Sequence, residues 1–216
     1  MTYPAIKVCG LTRREDALAA AAAGASYLGV VLAPGGKRTV ELAEAVKLLQ
    51  GLAVQRAGVF VDAPTETLLR SGKILSLDVL QLHGDETPEQ VREAAAAGPW
   101  RVWKAVRIRT AGDFVRAAER FADSADGLLL DGWHPSARGG TGTPFPWEMI
   151  AEHRAKLPPH LSLVVAGGLR ADNVARACAL LHPSVVDVSS GVEEAPGIKD
   201  ADAIRAFVAA ATNLNL

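Results

Sequence analysis

Short apolar runs and longer amphipathic stretches alternate along the whole chain, and this alternation limits its possible folds more than any single motif does. Runs rich in aliphatic and β-branched residues occupy 5–9, 27–32, 55–61, 79–82, 101–106, 127–131, 162–166 and 185–188. Each is followed by a stretch of helical character, beginning near Arg13, Val40, Thr65, Thr87, Ala111, Trp147, Asp172 and Asp200. Eight such units in 216 residues, with no Ser/Pro-rich linker, predict one closed (β/α)8 TIM barrel spanning 1–216. A doubly wound open sheet is the main rival. Against it, the first strand does not turn into a G-x-G-x-x-G loop, and eight units are the number that closes a barrel.

Bulk properties narrow the kind of partner. Lys plus Arg (23) nearly balances Asp plus Glu (24), so no global field favours nucleic acid or an anionic membrane surface. A small, locally recognised ligand is expected instead. The two cysteines, Cys9 at a strand end and Cys178 in an alanine-rich helical pattern, do not suggest a disulfide framework. No charged-then-apolar leader opens the chain, and no run nears the roughly 18 apolar residues of a membrane helix, so a soluble cytoplasmic protein is expected. The apolar stretch 94–103 reads either as a subunit interface, making a homodimer, or as ordinary packing in a monomer.

Parallel strands in a barrel deliver their C-terminal ends to one rim, and chemistry belongs there. This rule selects Cys9, the loop 33–38, Asp62, His83, Arg107, Asp131 with its loop to Gly142, Gly167 with Gly168, and 189–191. Gly10 ends the first strand, and Thr12 with Glu15 three residues on reads as a capping box for the first helix. Gly167-Gly168 after strand seven and Ser189-Ser190-Gly191 after strand eight would expose backbone N–H groups to an anion, where barrels commonly hold phosphate. A short extra helix over 191–194 would complete that site. The bland alternative is that these glycines only make turns.

Asp131 closes an apolar strand, where partial desolvation would favour a protonated acid; a capping role is the alternative reading. The segment Arg138-Gly139-Gly140-Thr141-Gly142 is too polar and glycine-rich for core and reads as a substrate-covering loop. Free cysteine is usually a small buried hydrophobe. Strand period 2, however, puts Lys7 on the face of Cys9, and an ammonium there lowers a thiol's pKa. On closure Asp187 would neighbour Lys7 and temper the effect. Arg38 offers a planar fork for a carboxylate, whereas Lys37 fits a solvated surface charge. His83 is a strand-end histidine of orienting or binding type. Neither it nor Cys178 stands at metal-ligand spacing, so no metal is expected.

Taken together, Lys7-Val8-Cys9-Gly10-Leu11-Thr12, Gln81-Leu82-His83-Gly84, Leu129-Leu130-Asp131, Gly139-Gly140-Thr141-Gly142, Ala166-Gly167-Gly168-Leu169 and Asp187-Val188-Ser189-Ser190-Gly191-Val192-Glu193 resemble the phosphoribosylanthranilate isomerases of tryptophan biosynthesis. The resemblance implies a cofactor-free Amadori rearrangement of N-(5-phosphoribosyl)anthranilate to 1-(2-carboxyphenylamino)-1-deoxyribulose 5-phosphate. It implies Asp131 as general acid, Cys9 as general base and Arg38 at the anthranilate carboxylate. His83, Gly140, Gly142, Gly167 and Asp187 join the substrate contacts, and Gly168, Ser189, Ser190 and Gly191 fall in the phosphate loops. Two loops depart from the family pattern. Gly35-Gly36 stand where Lys-Ser is common, and Phe145-Pro146-Trp147 replaces Phe-Asp-Trp, leaving Pro146 to open the helix. The rivals are the imidazole-ribonucleotide isomerases of histidine biosynthesis, which pair two aspartates across a half-barrel repeat absent here, and a silent phosphate-binding barrel, which needs no acid and base.

Overall fold

The structure is a computed structural model describing residues 3–132 and 147–213. Its strands β1 (Ala5–Val8), β2 (Tyr27–Val31), β3 (Gln55–Phe60), β4 (Val79–Leu82), β5 (Arg101–Ile108), β6 (Gly127–Gly132), β7 (Ser162–Val165) and β8 (Val185–Val188) form a closed parallel barrel in chain order. Closure is made by β8 against β1, with Lys7 opposite Asp187. The helices are α1 (Arg14–Ala23), α2 (Leu42–Leu49), α3 (Thr65–Leu75), α4 (Pro88–Ala96), α5 (Ala111–Phe121), α6 (Trp147–Ala151), α7 (Val174–Leu181) and α8 (Ala201–Thr212). A small antiparallel hairpin, β9 (Glu193–Ala195) with β10 (Ile198–Lys199), follows β8. The open-sheet rival is excluded by the closed strand order.

Both faces of a barrel strand are covered, which explains why the strands read as near-continuous apolar runs. Alternate residues therefore serve two cores. Tyr27, Ala57, Val79, Trp103, Ala105, Leu129, Val164, Ala166 and Val185 pack together inside the barrel. The residues of the opposite parity, such as Ile6, Leu28, Leu80, Val102, Leu128 and Val186, join the larger core beneath the helices. In α5, Phe114, Ala117, Ala118 and Phe121 are buried at helical spacing. Burying its two phenylalanines contributes roughly 1.5–3 kcal/mol each.

Local signals fix most helix starts. Thr87 with Gln90 and Thr110 with Asp113 make reciprocal capping boxes, and Asp200 accepts from the N–H groups of Asp202 and Ala203. The expected box at Thr12 and Glu15 does not form. Arg13 is the N-cap of α1 and has no side-chain cap, because the Thr12 hydroxyl donates instead to Gly197 O at 2.5 Å, tethering the β9–β10 turn. The extra helix expected over 191–194 is a 3₁₀ turn at Ser190–Val192, since Glu193 is already committed to β9. Within the apolar stretch 94–103, Trp100, Val102 and Trp103 are buried and Trp100 Nε1 donates to Ala94 O, while Ala96, Pro99 and Arg101 are exposed. No helix among the described residues is long and apolar enough to cross a membrane.

Candidate active site

Two carboxylates, a thiol and an ammonium meet inside the upper part of the barrel. Lys7 and Asp187, paired across the closing strands, form a buried ion pair at 2.8 Å. Lys7 Nζ also donates to Gln81 Oε1 on β4 at 2.9 Å. Burial pushes the Lys7 ammonium down, but Asp187 and the nearby Cys9 outweigh it, so its pKa is raised and it stays charged.

Cys9 follows β1 directly, its N–H donating to Val188 O, and its side chain is buried. Room for it comes from a glycine within the neighbouring strand. A Cβ on Gly29 would lie 2.8 Å from Cys9 Sγ and 3.0 Å from Lys7 Cε, so only a strand residue without a side chain lets both groups reach the interior. Lys7 lowers the thiol's pKa and Asp187 tempers it, as expected, but the expected thiolate is corrected here. Burial raises the Cys9 pKa first; Lys7 opposes it, Asp187 reinforces it, and the net shift is upward. The Lys7 charge is shared with Asp187, so Cys9 stands as a neutral thiol near neutral pH.

Asp131 sits on β6, buried, with Arg107 as its register partner on β5. Its Oδ2 is 3.3 Å from His83 Nε2, and His83 Nδ1 is 3.0 Å from Gln81 Nε2. Gly167, at φ +75°, makes space on the other side: a Cβ there would stand 2.7 Å from Asp131 Oδ1. This glycine therefore lies against the carboxylate as well as in the turn after β7. Asp62, also expected on the rim, ties two loops together by accepting from Asp85 N.

The loops after β7 and β8 close on each other. A Cβ on Gly191 would lie 1.9 Å from Leu169 O, an approach open only to glycine. Asn173 fixes the first turn, accepting from Arg170 N and donating to Gly168 O. Ser189 offers its carbonyl to Lys199 Nζ at 3.2 Å, and Ser190 opens the 3₁₀ turn. The sequence-selected Gly168, Ser189, Ser190 and Gly191 are thus brought together. Gly140 and Gly142, with Phe145 and Pro146, lie outside the described residues.

Arg38 reaches the same rim, but its fork is occupied. Nε and Nη2 each donate at 2.7 Å to the two oxygens of Glu193, which also takes a 2.7 Å bond from the fully buried Lys199. Burial would raise the Glu193 pKa, but the bonds from Arg38 and Lys199 hold it below the ordinary carboxylate value. Four residues of this arrangement were not singled out from sequence: Gly29, Gln81, Glu193 and Lys199. A glycine inside a strand and a lone amide in Val79-Leu80-Gln81-Leu82 are usable signals; the partnership of Lys199 with Glu193 depends on a hairpin that no local pattern announces. Among the described residues no group of three or more His, Cys, Asp or Glu is placed to hold a metal.

Comparison with known proteins agrees with this geometry. The family model for N-(5'phosphoribosyl)anthranilate (PRA) isomerase matches residues 6–210. An N-(5'-phosphoribosyl)anthranilate isomerase of Rubrobacter xylanophilus is 45% identical over 208 residues, 95% of this chain and 98% of the relative. Monomers generated from the dimeric Thermotoga maritima phosphoribosylanthranilate isomerase superpose with a TM-score of 0.85 at 36% identity, covering 98% of this chain and 100% of that one. A phosphoribosylanthranilate isomerase in complex with reduced 1-(o-carboxyphenylamino)-1-deoxyribulose 5-phosphate matches with the same TM-score of 0.85 at 35% identity, over 98% and 100% of the two chains. On these matches and the closed eight-stranded barrel beneath them, the chain belongs to the N-(5'-phosphoribosyl)anthranilate isomerase family.

Proposed function

We propose that the protein isomerises N-(5-phosphoribosyl)anthranilate to 1-(2-carboxyphenylamino)-1-deoxyribulose 5-phosphate, with Asp131 as general acid and Cys9 as general base. Family membership carries the reaction; the residue roles rest on one observation, that Cys9, just after β1, and Asp131, next to last in β6, lie at the C-terminal ends of their strands, as do the Gly168 and Gly191 loops. Asp131 gives its proton to the ribose ring oxygen while the anthranilate nitrogen lone pair expels that oxygen from C1. The product is an open-chain iminium. Cys9 then takes the proton from C2, forming an enolamine, which becomes the ketone as C1 gains a proton and the 2-hydroxyl loses one. No net proton is consumed and no electrons leave the substrate, so the chemistry calls for no redox cofactor.

Cys9 must give its own proton to solvent, from which Asp131 is re-protonated, before it can take the one from C2, and the order of events favours that loss. Ring opening places a cation beside C1, and a nearby positive charge is what lowers a thiol's pKa. Arg38 retains Nη1 for the anthranilate carboxylate while Glu193 holds the rest of its fork. Asp187 bonds Lys7 through Oδ2 alone; its buried Oδ1 has no partner among the described residues and suits a sugar hydroxyl. The backbone of Gly168, Ser189, Ser190 and Gly191 receives the phosphate. The working partner is this small phosphorylated molecule, with no nucleic acid or membrane involved. The protein acts in the cytoplasm as a monomer or homodimer. Purified protein mixed with phosphoribosylanthranilate should consume its anthranilate-type fluorescence; an unaltered protein that fails to do so ends the proposal.

A further inference from the structure

Buried Lys7, Gln81 and Asp131 and the half-buried His83 form a continuous hydrogen-bonded chain across the barrel, from β1 to the carboxylate on β6. Its direction follows from donor and acceptor inventory. An ammonium only donates, so Lys7 Nζ at 2.9 Å requires the oxygen of the Gln81 amide, not its nitrogen. The Gln81 NH2 group is then turned toward His83 Nδ1 at 3.0 Å. Two facing N–H groups would repel, so Nδ1 must be the bare nitrogen and the proton of the neutral ring must sit on Nε2. Nε2–H in turn points at Asp131 Oδ2, 3.3 Å away. The Lys7–Asp187 ion pair fixes the amide, the amide fixes the tautomer, and the tautomer makes His83 a donor.

We propose that Gln81 is a positioning residue for the isomerase: it locks His83 in the Nε2–H tautomer, which reserves Oδ2 of Asp131 for the protein and leaves Oδ1, on the Gly167 side, to carry the acid's proton. The role of the lock rests on the assignment of Asp131 as general acid; the tautomer itself does not. When the proton leaves for the ring oxygen, the new carboxylate already faces an aligned donor, and a hydrogen bond to an anion is the stronger kind. His83 thereby favours the state reached after transfer without competing for the proton before it. The charged groups around Asp131 are Arg107 on the adjacent strand and, through the chain, Lys7 with Asp187.

The test reads the tautomer first. Protein labelled with nitrogen-15 in its five histidines gives a two-bond proton–nitrogen correlation for each ring, and His83 is identified by the resonance lost in His83→Asn. Near neutral pH the unaltered protein should show an unprotonated Nδ1 and a protonated Nε2 at His83; the reverse pattern overturns the lock. Gln81→Glu replaces the donating NH2 with a second acceptor. It should move the His83 proton to Nδ1 and lower kcat by roughly a hundredfold to a thousandfold, as expected for loss of one donor to a developing charge, with KM changed far less. A reversed tautomer with unchanged kcat would refute the positioning role. If Gln81→Glu does not fold, the tautomer in the unaltered protein decides by itself. A protein with the expected tautomer but no turnover would sink the isomerase reading and leave the hydrogen-bond assignment standing.

Discussion

Replacing Glu193 by Gln should cost more stability than any conservative exchange on the surface, because one carboxylate neutralises two cations. Its side chain is 4% exposed, that of Lys199 is 0% exposed and that of Arg38 is 21% exposed. Glutamine preserves the shape and one acceptor but removes the charge. It turns three charge-assisted bonds of 2.7 Å into at most one neutral acceptor shared by two cations. Breaking a buried pair by removing one partner costs about 3–5 kcal/mol, and the retained acceptor puts the expectation near the lower end, ~3 kcal/mol. For a chain of this size that corresponds to a fall in Tm of about 6–12 °C. Urea unfolding followed by tryptophan fluorescence measures it. The sign with pH is fixed as well. Glu193 has a folded-state pKa held below its ordinary value of 4.5, so its contribution is present above that pH and is lost as pH falls through the folded-state value. The gap between unaltered protein and Glu193→Gln must therefore shrink in acid. A loss below about 1 kcal/mol, or a gap that stays constant on acidification, would refute the reasoning.

Other consequences follow from the same packing. Gly29→Ala drives a methyl group to 2.8 Å from Cys9 Sγ, and should destabilise by about 1–3 kcal/mol while lowering kcat at least tenfold, checked by unfolding and turnover together. Both thiols are protected: burial raises Cys178 to about 11, and Cys9 is raised above 9.0. In the folded protein without added substrate neither should react appreciably with iodoacetamide near neutral pH, and stoichiometric labelling by mass spectrometry would contradict this. Because both thiol values are raised, their contribution to stability is intact below about pH 9 and declines as pH rises through the folded-state values.

Much of the barrel was readable from the chain because a switch between period 2 and helical spacing is a local property. β4 and β8 begin and end where the runs 79–82 and 185–188 do. β1 stops at Val8, one residue short of the expected end, because strands end where ladder pairing ends and not where apolar character does. That Cys9 and Asp131 stand at strand C-terminal ends was legible for the same reason: Cys9 directly follows β1 and Asp131 is the last residue but one of β6. What the chain did not disclose was the balance of charges at those positions. The Lys7 neighbour is plain from alternation, but the competition between its charge, Asp187 and burial is settled only by closure. Thr12 misled because its hydroxyl meets a turn 185 residues away. Glu193 meets Arg38 across 155 residues, and Gln81 lies only two residues from His83 but has its amide held by Lys7, 74 residues away, so these contacts emerge only from the fold.

The acid–base assignment itself is tested most directly by comparing kcat for the unaltered protein, Cys9→Ala and Asp131→Asn with phosphoribosylanthranilate, alongside calorimetric binding of the reduced product analogue to each. If Cys9 and Asp131 move the two protons, each exchange lowers kcat by about 10²–10⁴ while the analogue still binds within several-fold of its affinity for the unaltered protein. Either variant turning over within about tenfold of the unaltered rate would contradict the assignment.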